Sequence, residues 1–555
     1  MRTHPTLTSI RSAKGLAVAV IGTTALTLPL AVPANASAQH PVPQQAVANK
    51  QPAPKPAPEL NLGSPDQAET RTSTRVQRGV THTLITRGST DPSLRWVVEV
   101  SMPSLASSPD PKGPARSVQD KAAAEAQRAR IEAAGFPASI EPVRQPEVAD
   151  LGASTLGYRL RLDQRPTTQA EADKLVAALK AKGFAGRSWY TGWDGDVAAK
   201  GPWRIHVLTI DPQTFTGRLG ATYGPDLAER ETTTELAGYT RAKAMINAGF
   251  FVMDPTAGAE GDPAGAGVYN GNLVSETITG RPALVLHPDA RRTRVVQPVW
   301  KGEVTIGRQR LQLDGVNRVI GLIRNCGGDV TDSPTSLPLH DATCQDEAEA
   351  VAYTRAFAHR TPKGEGAELV LRRGKVIAVK AQRGTLLGRG QSSVQFTGRQ
   401  AQRVLASARV GQRADVKQYL TDGRKRLDRK GTTVVNGGPE LVRSGQLHVT
   451  QKRDGMSQAT NPSFDYGWVL QRNPRTFAGT DAKGRTLLVT VDGRQLTSLG
   501  LSIPEAAQVA KDLGMVNAIN LDGGGSTAMV LNGQLVTSPS DSTGERPVGD
   551  AIFVR

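Results

Sequence analysis

Between residues 95 and 190 the pattern of apolar and polar positions runs through the same order twice. Trp96-Val97-Val98-Glu99-Val100 reads as a strand, and the alanine-rich stretch from Ser117 to Ala134 reads as a helix. Gly135-Phe136 closes that helix, and a second strand runs through Val143. The order then returns. Tyr158-Arg159-Leu160-Arg161-Leu162 alternates as a strand, Thr168 opens a helix to Lys182 with Glu171 three residues on as a capping box, and Gly183-Phe184 ends it. Two strand-helix-strand units predict a four-stranded sheet with both helices on one face.

From residue 201 to 555 the pattern changes to strand-like runs separated by glycine turns. Val268-Tyr269-Asn270-Gly271-Asn272-Leu273-Val274, Arg373-Gly374-Lys375-Val376, Ser444-Gly445-Gln446-Leu447 and Leu531-Asn532-Gly533-Gln534-Leu535-Val536 read as hairpins, because such turns supply the positive φ angles of two-residue loops. Helices are expected at Glu347 to His359, near Gly398 to Ala406, and at Ile503 to Leu513, where Ser502 is the N-cap, Pro504 suits the first turn and Gly514 terminates. The predicted fold class is α+β (mixed α/β): a β-rich domain with several hairpins plus a small βαββαβ module of the ferredoxin-like kind.

Upstream, Arg2, Arg11 and Lys14 precede an apolar run from Leu16 to Val32 and the small-x-small sites Ala34-Asn35-Ala36 and Ala36-Ser37-Ala38. Residues 1–38 therefore read as a secretory signal, and no other run approaches the roughly 18 apolar residues a membrane helix needs. The expected chain is secreted, without a membrane partner after cleavage. Residues 39–75 are proline-rich and read as a spacer, 76–94 as a strand that belongs with the later domain, 95–197 as the module and 201–555 as the main domain. Export also changes the reading of the two cysteines: Cys326 and Cys344 are expected to form a disulfide.

Lys and Arg number 68 against 51 acidic residues, a net charge of +17, but aromatics are only 4%. No stretch interleaves basic and aromatic residues, so no nucleic-acid partner is expected. The charge fits a solvated surface or attraction to an anionic wall polymer or phosphate-bearing substrate.

Four segments share one grammar, an apolar run ending in Asn or Asp followed by small residues. They end at Asn247, Asn436, Asp492 and Asp522, and strand ends of this kind suggest a shared ligand crevice. Leu521-Asp522-Gly523-Gly524-Gly525-Ser526-Thr527 is the strongest, since successive backbone N–H groups of a glycine turn can cradle an anion. It is not a P-loop, for no lysine follows. Gly524-Gly525-Ser526-Thr527-Ala528 approximates a hydrolase elbow, yet that order needs a later histidine and the last one is His448. No H-x-H or H-E-x-x-H spacing supports zinc. A four-residue turn at Asp481 to Gly484 would set Arg475 opposite Thr490, two positions from Asp492, and Arg546 is a second guanidinium for a phosphate.

At these positions the chain resembles the phosphodiester glycosidase family. Asn247-Ala248-Gly249-Phe250-Phe251, Asn436-Gly437-Gly438-Pro439-Glu440-Leu441-Val442, Asn473-Pro474-Arg475-Thr476, Val491-Asp492-Gly493-Arg494 and the 521–527 segment match its motifs in order across about residues 201–555. The resemblance implies hydrolysis between a sugar anomeric carbon and a phosphodiester oxygen, as in N-acetylglucosamine-1-phosphodiester linkages. Asp522 and Asp492 are then assigned to catalysis, as nucleophile or base and its partner. Asn247, Asn436, Gly437, Arg475, Thr476, Gly523, Gly524, Gly525, Ser526, Thr527 and Arg546 are assigned to substrate and phosphate binding. Residues 95–197 resemble the sporulation-related (SPOR) domain, which implies an independently folding module that binds peptidoglycan or an anionic wall polymer. The carbohydrate phosphodiester would come from an exopolysaccharide or the cell wall. Two other readings stand beside this one: a non-catalytic wall-polymer-binding protein, and a metal-dependent phosphodiesterase cleaving at phosphorus. In the latter, Asp254, Asp262 and Asp492 would supply oxygen ligands to a divalent cation such as calcium.

Overall fold

Four predicted hairpins close on two residues with positive φ, Asn270-Gly271, Arg373-Gly374, Ser444-Gly445 and Asn532-Gly533, as the twist of paired strands requires. The computed structural model describes residues 58–103, 116–277, 280–324, 333–334, 343–458 and 461–555. The signal segment, residues 39–57 of the spacer and Cys326 lie outside the described residues, and so does the expected Cys326 to Cys344 bond; Cys344 itself is fully buried.

The largest sheet has eight strands, in the order Glu69–Gln77, Val80–Arg87, Trp203–Ile210, Thr486–Val491, Arg475–Asp481, Met515–Asn520, Glu440–Arg443 and Gln446–Leu447. Every neighbouring pair is antiparallel. Residues 69–75, read above as spacer, are thus strand. Leu60 and Leu62 before them are buried, and the Leu62 carbonyl accepts from Arg87 Nε at 2.8 Å. One face of this sheet carries the helix Ile503–Asp512, capped as expected by a Ser502 and Glu505 capping box. The other face packs toward two five-stranded sheets, which bring Ala244–Asn247 between Met529–Leu531 and Ala551–Val554, and Thr433–Asn436 between Gly267–Tyr269 and Ala283–Leu286.

The helix expected at Glu347 to His359 is a strand, Ala350–Tyr353. Its period is two: Ala350 and Ala352 face one apolar cluster, while Val351 and Tyr353 face another. Alanines on one face hid that alternation behind helix propensity. Glu349, fully buried before the strand, is paired with Arg318. The stretch near Gly398 is helical over Gly398–Ser407.

The βαββαβ order of residues 95–190 is present. Strands Ala138–Gln145, Ser154–Leu162, Trp96–Val100 and Gly186–Tyr190 lie side by side, with helices Lys121–Ala133 and Gln169–Ala181 packed on one face around Val98, Val100, Leu160 and Leu162. Both faces of the sheet are covered. The face away from the helices carries Glu99, Arg159, Arg161, Arg187 and Trp189, and it packs on Tyr466 of the π-helical turn Tyr466–Leu470. Arg161 grips Asp194 with two bonds, Nη1 to Oδ2 at 2.8 Å and Nη2 to Oδ1 at 2.9 Å, and reaches Glu99 Oε2 at 2.9 Å. The Tyr466 hydroxyl lies 3.1 Å from both Glu99 Oε2 and Asp194 Oδ1. Burial alone would raise Glu99, but Arg187 and Arg161 bring it down to about 2. The module also shares an apolar cluster with the main domain, in which Trp96 and Tyr190 join Trp203, Tyr466 and Leu499.

A buried ion network costs most when one member is removed, because the partners stay desolvated. Arg161→Met should therefore destabilise the whole chain by about 3–5 kcal/mol, read by urea unfolding; a loss confined to the module, with the main domain unfolding as before, would contradict this coupling.

Candidate functional site

Three of the four strand ends converge, and they do so through antiparallel pairing. Asn247 ends its strand with Nδ2 donating to the Asp522 carbonyl at 2.7 Å, while its Oδ1 accepts from Thr476 Oγ1 at 2.7 Å and the Ala528 amide at 3.1 Å. Asn436 Oδ1 accepts from the Phe250 amide and its Nδ2 donates to the Phe250 carbonyl. Both asparagines, with Thr476 behind them, tie loops together and are buried. They position the site. A side chain at Gly249 would strike the Asn436 amide, and one at Gly437 the Asn520 carbonyl, so both glycines permit close approach of backbones.

Asp522 stands at the end of Met515–Asn520 with 8% of its surface exposed. Its amide donates to the Ala248 carbonyl at 2.9 Å. Beneath it lies Asp550, which the sequence reading did not single out. Asp550 is buried; its Oδ1 accepts from the Gly249 amide and its Oδ2 from the Tyr269 hydroxyl, each at 2.7 Å. Burial, with the Asp522 charge as a smaller contribution, pushes the Asp550 carboxyl up to about 6. Asp550 is therefore protonated below about pH 6 and ionised above it, buried beneath the more open Asp522.

The glycine turn after Asp522 is flanked by guanidinium groups. Gly524 has φ +61° and faces Arg494, while a side chain at Gly525 would run into Arg546 and Asp541, which are paired at 2.7 Å. Arg494 itself sits at φ 55° and is held by neutral Asn473, whose Oδ1 accepts from Nε at 2.9 Å. Among the described residues it has no carboxylate partner. Desolvation, then the Arg546 and Arg187 charges, lower its pKa. Ser526 Oγ is buried and makes no hydrogen bond among the described residues, so no base activates it as a nucleophile. Thr527 Oγ1 lies 3.4 Å from Thr476 Oγ1, inside the wall.

Arg475 and Asp492 are placed differently from the sequence reading. The register differs by one residue from the expected one: Thr480 pairs with Thr486 rather than Arg485, and Asp481 Oδ1 accepts from the Lys483 and Arg485 amides. Arg475 consequently lies opposite Val491, and a shift of one residue reverses the face. Its buried guanidinium donates to the carbonyls of Leu501, Trp468 and Gln471, and burial followed by the Arg494 charge brings it down to about 9. Arg475 clamps the π-helical turn rather than a ligand. Asp492 points to the other face, where Oδ1 accepts from the Ser538 amide at 3.0 Å and Oδ2 lies 3.4 Å from Arg204 Nε and 3.9 Å from His206 Nε2. It anchors the loop that carries Asp541. His206 Nδ1 is 3.1 Å from His82 Nε2, and burial beside His206 brings His82 down to about 4.

The three aspartates considered for a cation do not gather. Asp254 accepts from the amide and hydroxyl of Thr256 in its own turn, and Asp492 is bound as just described. Among the described residues no group of three or more His, Cys, Asp or Glu side chains is placed to hold a metal ion.

This site and fold define a class. Residues 347–555 match the model of the phosphodiester glycosidase family, so the chain carries a domain of that family. Over 143 residues the chain is 35% identical to bovine and 34% identical to human N-acetylglucosamine-1-phosphodiester α-N-acetylglucosaminidase. Each match covers 25% of this chain and 27% of the relative, about a quarter of the curated relatives' length. A crystal structure of a Burkholderia pseudomallei protein described as exported is 31% identical with a TM-score of 0.78, covering 90% of this chain and 99% of that one. The chain belongs to one family with that protein, and the likeness reaches well beyond the segment the family model matches.

Asp550 has a measurable signature. A carboxyl raised in the folded state stabilises while protonated; its contribution is full below the ordinary carboxylate range and is lost as pH rises through about 6. Asp550→Asn should flatten the dependence of melting temperature between about pH 4 and 6 and remove an ionisation near 6 from the pH profile of kcat. An unchanged profile in a folded variant would count against a raised Asp550 carboxyl.

Proposed function

We propose that the protein is a secreted hydrolase that cleaves the bond between a sugar anomeric carbon and the oxygen of a phosphodiester, in N-acetylglucosamine-1-phosphodiester-like linkages of an exopolysaccharide or cell-wall polymer. The observation that carries this reading is Asp522, backed by the buried Asp550, beside a glycine turn flanked by Arg494 and Arg546. The family domain and the bovine and human relatives support the same chemistry. In the step, water oxygen bonds to the anomeric carbon, the bond from that carbon to phosphate oxygen breaks, and its electron pair leaves with the phosphate monoester. Asp522 takes the proton that water loses. The leaving phosphate is already anionic, so strong acid assistance is dispensable, and Arg494, Arg546 and the glycine turn balance its charge where it develops. Asp492 keeps a supporting role through Ser538.

Wall attachment through residues 95–197 has to be framed by the packing. The sheet face of that module lies against Tyr466, so a wall glycan would have to meet its helices or its edges. Secretion rests on the signal-like first 38 residues and on the relative described as exported. The mature chain recovered from an expressing culture should begin after Ala36 or Ala38 by N-terminal sequencing; an uncut N-terminus in the exported fraction would remove that part of the proposal.

The decisive assay uses a synthetic sugar-1-phosphodiester and identifies the products. Free reducing sugar plus phosphate monoester is expected. Sugar phosphate would mean cleavage at phosphorus, and no product would leave binding alone. Asp522→Asn keeps the size of the side chain and removes its charge, and should lower kcat at least ~100-fold with the fold intact by circular dichroism. Turnover within a few-fold of the parent would overturn the assignment.

A further inference from the structure

The βαββαβ module reaches the site itself. Its edge strand Gly186–Tyr190 runs into Thr191–Trp193, whose Gly192 and Trp193 carbonyls accept from Arg472, Gly192 from Nη1 and Trp193 from the backbone amide. Arg472 precedes Asn473, and Asn473 holds Arg494. On the same strand Arg187 projects a guanidinium that is 44% exposed, stacked 4.1 Å over the Trp189 ring and bound to Glu99 Oε1 at 2.6 Å. Trp189 in turn is 5.2 Å from Trp193, ring to ring. A stacked, ion-paired and outward-facing arginine is fixed in direction at little entropic cost, as an anion-recognition group should be.

The charge balance points the same way. Glu99, the one carboxylate bound to Arg187 among the described residues, is shared with Arg161 and Tyr466. Arg494 has none, and Arg546 has Asp541. Arg187 and Arg494 also sense each other, since the Arg187 charge helps to lower the Arg494 pKa. Arg187 keeps Glu99 and Arg546 keeps Asp541, whose charge offsets part of the repulsion at Arg494, so Arg494 is the one of the three without a bonded carboxylate among the described residues and the one an outside anion would stabilise most.

Resting on the glycosidase reading above, we propose that Arg187 forms a second anion subsite across the junction of module and main domain. It would take the next phosphate along a sugar-phosphate polymer whose scissile phosphate sits at the glycine turn, with Arg494 shared between the two positions. The module then selects for polymer over a single phosphodiester, and does so from within the site.

The test uses the full chain and two synthetic substrates, one with a single sugar-1-phosphodiester and one with two in series. Arg187→Gln should lower kcat/KM for the two-phosphate substrate on the order of 10-fold more than for the one-phosphate substrate, chiefly through KM. Arg187→Lys, which keeps the charge and the pair with Glu99, should recover part of the difference. For the unmodified chain, KM for the two-phosphate substrate should also rise more steeply with salt, a readout that does not depend on a variant folding. Equal losses on both substrates, or equal salt slopes, would overturn the subsite and leave the glycosidase reading standing. If the unmodified chain hydrolyses neither substrate, that reading falls, and calorimetric titration of the two-phosphate compound decides the subsite alone: weaker binding by Arg187→Gln supports it, unchanged binding refutes it.

Discussion

The bidentate grip of Arg161 on Asp194, with Glu99 and Tyr466 closing the remaining hydrogen bonds, is the constraint on which the geometry of the site depends. These groups are out of water, so their attraction is strong only while every partner stays in place. Tyr466 begins the π-helical turn, and the carbonyls of that turn and of Gln471 receive Asn473 and Arg475. Asn473 orients Arg494 toward the glycine turn. A chain of bonded groups thus runs from the interior of the module to the guanidinium at the site. A π-helical turn suits this use, because its wider winding leaves carbonyls available to side chains instead of to its own ladder.

The βαββαβ unit is packed differently from a tethered module. A tethered module needs a linker and a free recognition face. Here the sheet face is filled by charged side chains that the main domain completes, and the apolar cluster continues across the junction. The helices' outer faces and the sheet edges remain open, among them the edge that carries Arg187. The strands from residues 69–87 and 203–210 lie together in the large sheet, so the module occupies an excursion between neighbouring strands of one sheet, and its position is set by pairing on both sides.

Division of labour among the acidic groups follows from burial and facing. Asp522 is near the surface, Asp550 is beneath it with both oxygens bonded, and Asp492 faces a loop instead of a ligand. In the proposed reaction the same residue type serves as reacting group, buried support and anchor because the environments differ. The arginines differ in the same way: Arg475, expected from the sequence beside a ligand, spends its donors on backbone carbonyls, while Arg494, which the motif contains, faces the glycine turn.

Much of the local structure was legible in the sequence because its causes are local. Asn-Gly and its equivalents need no distant partner to favour positive φ, the capping boxes at Thr168 and Ser502 are made within four residues, and the glycine turn after Asp522 announces close backbone approach by composition alone. The module's two units were readable for the same reason. Tertiary structure decided what depends on pairing between distant strands. Asp550 lies just before its strand, not after it, and comes to Asp522 only because Ala551–Val554 pairs antiparallel with Ala244–Asn247; a search for acids at strand exits passes over it. Arg475 turned to the opposite face through one residue of register, since side chains alternate with a period of two. The strand at Ala350–Tyr353 overrode helix propensity because two separate cores needed its alternate faces. Hydrophobic period and turn chemistry act over a few residues, whereas register and facing are settled by which surfaces the folded chain must bury.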